Sequence, residues 1–139
     1  MEDETKITTR VFMARHGVQA HITKVTRRLN EAHGFVGSDR MNHWLCEFQH
    51  AGHRMLCNYS TGLGITGTPD GWQVLDCLAR DCMSVEDART FADWADEYGY
   101  EHDSRHAETV YDACKEQARA LSEMLGQAYE ELLYNVEHD

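Results

Sequence analysis

Proline occurs once in the 139 residues, at Pro69, and no stretch has the proline- and serine-rich composition that joins independent domains. One domain over residues 1–139 is therefore expected, long enough to bury a core without cross-links. Long apolar runs are missing as well. Trp72-Gln73-Val74-Leu75 is among the best of them, whereas a membrane span needs roughly 20 apolar residues. The opening Met-Glu-Asp-Glu-Thr-Lys has no apolar segment of the secretory kind. A cytoplasmic protein without a membrane partner is the expectation. Its five cysteines (Cys46, Cys57, Cys77, Cys82 and Cys114) are then expected as reduced, mostly buried thiols rather than a disulfide framework.

Cations are scarce in one half only. Residues 1–67 hold 8 Lys/Arg against 6 Asp/Glu, a net of +2, while residues 68–139 hold 5 against 18, a net of −13. A nucleic-acid binder replaces phosphate counterions with cations, and the second half offers the opposite, which argues against direct nucleic-acid binding. Its field would draw a basic protein surface instead. Solubility alone would also account for a charged helix face.

The first half carries strand signals. Residues 1–10 are polar and expected to be flexible. Val18, Ala20 and Ile22 alternate within Gly17 to Arg28, which predicts a strand, and residues 29–42, with Gly34 and Gly37, predict a loop. Trp44, Cys46 and Phe48 alternate before Ala51-Gly52, and Met55, Cys57 and Tyr59 alternate after it. A two-residue turn there sets Trp44 opposite Tyr59, Cys46 opposite Cys57 and Phe48 opposite Met55, placing six apolar side chains on one face. Alanine is a poor first residue for such a turn, so a longer loop with a shifted register is the alternative. An isolated hairpin is marginal in water, so this face needs a cover.

The second half supplies helices. Asp70 with Gln73 three residues on predicts a capped start, and Val74, Leu75 and Leu78 give it a stripe. Ser84 followed by Glu86 and Asp87 predicts a second start, running through Phe91 and Ala95 to a stop at Gly99. A third helix is expected from Asp103 or Ser104 to Gly126, with Ala107, Val110, Tyr111, Cys114, Ala118, Leu121 and Leu125 on one face. A short fourth helix, 127–134, packs Tyr129, Leu132 and Leu133. The expected fold class is α+β: a small antiparallel sheet, the β-hairpin plus one N-terminal strand, against three to four C-terminal helices. The strand-rich part is 17–60 and the helical part 70–134.

Chemistry-bearing patterns are present but out of context. Gly62-Leu63-Gly64-Ile65-Thr66-Gly67 matches G-x-G-x-x-G, yet it follows a hairpin strand rather than opening a βαβ unit, and no lysine follows the glycines. His43, Cys46, His50, His53 and Cys57 crowd the hairpin, but alternation sends the cysteines inward and leaves His50 and His53 beside the turn, so they do not converge as a zinc site would. The pairs Asp76 with Asp81 and Asp93 with Asp96 are what chance produces at this density of acids. Ser60, Ser84, Ser104 and the cysteines lack a nucleophile's flanking signature. No catalytic residue, metal site or cofactor is assigned, and a non-enzyme is expected.

Three stretches carry a resemblance. Val74-Leu75-Asp76-Cys77-Leu78-Ala79, then Phe91-Ala92-Asp93-Trp94-Ala95, then Glu97 through Glu108 (EYGYEHDSRHAE) resemble a family of small proteins encoded by phages and prophages. In that family a hairpin ends in a glycine-rich turn, followed by a DVLDCLASDA-like helix, an FEDWCxEYGYDTDSRKAE-like stretch and a closing helix. The likeness runs from about Gly17 to Leu133. It departs at Ala95, His102 and His106, where the family has Cys, Thr and Lys. The resemblance implies an origin and no reaction.

Charge and resemblance together suggest an inhibitor of a host defence protein, such as an anti-CRISPR protein whose acidic helices occupy a basic nucleic-acid-binding groove in the host cytoplasm. Asp93, Asp96, Glu97, Glu101, Asp103, Asp112 and Glu116 are the candidate contact residues. One alternative is a structural or housekeeping phage protein that self-associates, for instance as a homodimer. The other is a metal- or thiol-dependent enzyme.

Overall fold

A computed structural model describes residues 8–32, 40–88 and 90–137. In chain order the elements are α1 (Thr9–His16), β1 (Gln19–Val25), α2 (Arg27–Ala32), β2 (Met41–His50), β3 (His53–Gly62), α3 (Gly71–Asp87), α4 (Phe91–Glu97), α5 (Arg105–Leu125) and α6 (Ala128–Glu137). The strands form one antiparallel sheet in the order β1-β2-β3, giving an α+β fold. None of these helices is long and apolar enough to cross a membrane.

The hairpin has the register that alternation predicts: Trp44 faces Tyr59, Cys46 faces Cys57 and Phe48 faces Met55. Ala51 accepts a φ of 49° and Gly52 one of 83° to close it in two residues. The left-handed conformation costs alanine about 1–2 kcal/mol. A longer loop would avoid that cost, but a one-residue slip would turn the whole apolar set to water. Packing outweighs the turn. Ala20, Ile22 and Lys24 of β1 lie opposite Phe48, Cys46 and Trp44, so they share the inner face.

Three expectations in the first half of the chain need correction. The strand expected over Gly17 to Arg28 is shorter, because Gly17, at φ 68°, ends α1 and Thr26 caps α2 by accepting the Leu29 N–H at 3.1 Å. The flexible stretch expected over 1–10 includes Thr9 and Arg10, which are helical; residues 1–7 are outside the described set. In the loop expected over 29–42, the described residues are helical up to Ala32 and in β2 from Met41, while 33–39 are outside that set.

The second helix does not begin at Ser84. The Ser84 hydroxyl donates to the Asp81 carbonyl at 2.6 Å and accepts the Trp94 indole N–H at 3.2 Å, so it serves the interior of α3 and a cross-helix contact. The break falls after Asp87. Thr90 is the true cap of α4, accepting the Asp93 N–H at 3.1 Å. Ser104 caps α5 through the Ala107 N–H at 3.1 Å, as its position predicts. The last helix runs to Glu137, past its expected end at 134.

Two hydrophobic clusters result. The larger joins Phe12, Cys46, Phe48, Leu75, Leu121 and Leu132 from both halves of the chain. The acidic helices α3 and α5 therefore cover the sheet, with α6 and α1 packed behind them on α3. The smaller cluster is Trp94, Ala95 and Ala107, with Phe91, Tyr100, Val110 and Tyr111 against them. Helix α4 belongs to this second cluster, where it packs on α5.

Candidate functional site

A groove of about 940 Å³ runs between β3, α3 and α5. Its existence follows from side-chain size. On α5 the residues facing it are His106, Val110, Ala113, Gln117, Ala120 and Met124, at the helical spacing that keeps one face. Two of the central ones are alanines, whose short side chains leave the space beside the strand unfilled. Cys77, Leu78 and Asp81 of α3 form the floor, while Arg54, Leu56 and Asn58 of β3 line the opposite side.

That strand side is an edge. β3 pairs with β2 alone among the described residues. The two-residue turn makes His50 and His53 a pair that exchanges both backbone hydrogen bonds, and every second pair after it does the same. Met55, Cys57 and Tyr59 thus spend their backbone groups on β2. Arg54, Leu56, Asn58 and Ser60 point theirs outward, along the groove. Leu56 is 41% exposed.

The groove is not electrically neutral. Asp81 has solvent-exposed surface, yet burial by the walls pushes its carboxyl pKa up, and among the described residues no cation opposes the shift. Arg119 is shared by Glu116 and by Glu123, the latter at 2.7 Å. Arg54 reaches Glu47 at 3.9 Å, on the outer face of the sheet. Three carboxylates therefore line the groove, with Arg119 between two of them and Arg54 on the strand side, turned toward Glu47.

The acidic residues singled out by sequence are all exposed. Asp93, Asp96, Glu97, Glu101 and Asp103 lie on α4 and the turn after it, while Asp112 and Glu116 continue along α5. Beneath the first five lie stacked rings: Trp94 lies parallel to Tyr100 with centroids 5.3 Å apart and touches Tyr98 and Tyr111 at 5.4 Å. Asp96 is bonded to His102 at 2.7 Å, and Glu116 belongs to the groove. Sequence reasoning missed the groove itself. Its one available signal was that β3 has a single partner strand in the expected hairpin.

Three of the thiols, Cys57, Cys82 and Cys114, sit in surroundings unsuited to nucleophilic use. The hydrogen bond with adjacent Cys46, and then burial, hold the Cys57 thiol well above its ordinary range, and burial pushes Cys82 up to about 12 and Cys114 up to about 11. A nucleophilic cysteine needs the opposite shift. On the hairpin, Cys46 and Cys57 face the core and the His50 ring donates to the Met124 carbonyl at 3.0 Å. Among the described residues no three metal-ligating side chains converge. The glycine-rich segment leaves β3 at Gly62 as a turn fastened by Asn42, whose amide donates to the Gly62 and Ile65 carbonyls at 3.1 Å.

No family model matches the chain, and neither does any curated protein or solved structure.

Proposed function

We propose that this chain is a non-catalytic binding protein of phage type that inhibits a host defence protein, an anti-CRISPR protein being the leading form. The observation that carries the reading is the acidic lobe. Five carboxylates project from α4 and its following turn over a stacked aromatic base, on a helix that leaves the sheet to others. A fixed array of charge steers a basic partner and opposes binding to nucleic acid itself. Such a partner is a protein whose cationic surface otherwise holds nucleic acid, such as a CRISPR effector.

The test is capture of purified CRISPR effector complexes on the immobilised chain across a salt series. Capture should weaken steeply with salt. Combined reversal of Asp93, Asp96, Glu97 and Glu101 to lysine should lower affinity at least tenfold. Capture that ignores both salt and reversal would sink the electrostatic reading.

A further inference from the structure

We propose that the groove beside β3 takes an extended, lysine- or arginine-bearing segment of the partner protein, which adds to the sheet as a fourth strand. The inference rests on the protein-binding reading and gives that reading a docking mode. Three independent features meet in the groove. First, the outward backbone groups of Arg54, Leu56, Asn58 and Ser60 are a ready template for a strand. From Arg54 to Ser60 the edge is about 20 Å long at the usual rise per residue. Second, the opposite wall is a helix with alanines at 113 and 120, whose short side chains keep the groove of about 940 Å³ open beside that edge. An added strand would turn every second side chain toward Leu78, Val110 and Ala113, and the intervening ones toward solvent.

Third, the charge selects the occupant. Asp81 is a carboxylate on the groove floor that no cation among the described residues opposes, and Glu116 and Glu123 share one arginine. A lysine or arginine on the incoming strand would pair with Asp81. An acidic segment would meet repulsion from all three. Alternate apolar residues and at least one cation are therefore the recognition chemistry.

The experiment selects octapeptides from a random displayed library against the full chain, then measures affinity by fluorescence anisotropy. The selected sequences should alternate apolar residues and carry lysine or arginine. N-methylation at every second residue should lower affinity at least tenfold, with the intervening positions tolerant. Ala113→Trp, at an exposed helix position, fills the groove and should abolish binding; Asp81→Lys should lower affinity at least tenfold. Circular dichroism checks that both variants keep the fold. Failure to enrich any sequence, enrichment of acidic peptides, or indifference to N-methylation would overturn the proposal. So would a dimer in sedimentation whose Arg54, Leu56 and Asn58 amides resist exchange without peptide, because a second copy would then hold the edge. If the groove variants leave effector capture intact while reversal on α4 abolishes it, the strand-addition site falls and the binding reading stands. Peptide binding that persists without effector capture supports the groove and removes the anti-CRISPR form.

Discussion

The two hydrophobic clusters are built from different materials. The larger is aliphatic and sulfur-rich, collects side chains from α1, β2, β3, α3, α5 and α6, and holds Phe48, Leu121 and Leu132 completely away from solvent. The smaller rests on one tryptophan between two alanines, with aromatic rings partly open to water around it. Broad burial gives the first a cooperative core. Ring stacking gives the second a rigid but thin platform, each aromatic pair adding only about 0.5–1.5 kcal/mol beyond area. Val85 packs against both clusters, and the groove runs from Met124 of the first to Val110 of the second. The candidate binding surface thus spans a junction between a part that resists opening and a part that opens cheaply.

The largest effect should come from the larger core. Phe48→Ala removes a fully buried ring among side chains fixed by the sheet and should cost about 3–5 kcal/mol. Urea denaturation would show it as a lower midpoint for all probes together. Trp94→Ala removes a bigger side chain but should cost less, about 2–3 kcal/mol, because the thin lobe can collapse or fray around the gap. Hydrogen exchange should then speed up in Phe91–Glu97 while β2 amides hold their protection. Equal acceleration in both regions would mean that the two clusters open as one.

What could be read from sequence follows the same division. The hairpin register was available because six apolar residues repeat with period two around one turn, and the packing they gain overrides the poor fit of Ala51. α5 was available because its buried stripe and its Ser104 cap agree. α1 was not, since only Thr9 and Phe12 of its eight residues are buried and no stripe forms. The α3–α4 boundary was misplaced because Ser84 and the acids after it imitate a cap, while the actual use of Ser84 depends on Trp94 ten residues on. The acidic residues could be named but not assembled, and the groove could not be seen at all. It depends on which side chains meet between α5 and β3, where Ala113 and Ala120 leave space only once the helix and the strand are packed together.

Helix caps sharpen the comparison at smaller cost. Ser104 caps the long helix that serves both clusters, whereas Thr90 caps α4 alone. Each substitution to alanine should cost about 1 kcal/mol at its own helix. Ser104→Ala should lower the global denaturation midpoint. Thr90→Ala should leave that midpoint nearly unchanged and raise exchange rates only in α4. A global effect from Thr90→Ala would show that the lobe is coupled to the core more tightly than its packing implies.

The smallest effect separates the clusters by chemistry. Cys46, Cys57 and Cys82 belong to the larger core, and the smaller has no cysteine. Cys82 is raised from an ordinary value of 9.0 to about 12, and Cys57 moves in the same direction, burial contributing in both. A thiol raised in this way stays protonated in the folded chain after the unfolded chain has begun to lose its proton. Above about pH 9 the folded state then binds more protons, so stability falls as pH rises toward 12. Below pH 8 both states are protonated and these thiols add no slope. Tyr98 at the lobe shifts the same way, but from 10.0, so it enters later. Melting temperatures from pH 8 to 10 should therefore decline with the larger core, and Cys57→Ala with Cys82→Ala should flatten the decline. Over the same range the Phe91–Glu97 amides should keep their protection, corrected for intrinsic exchange, until the core itself gives way. An undiminished slope in the double variant would place the alkaline sensitivity outside these two thiols and remove this chemical distinction between the two clusters.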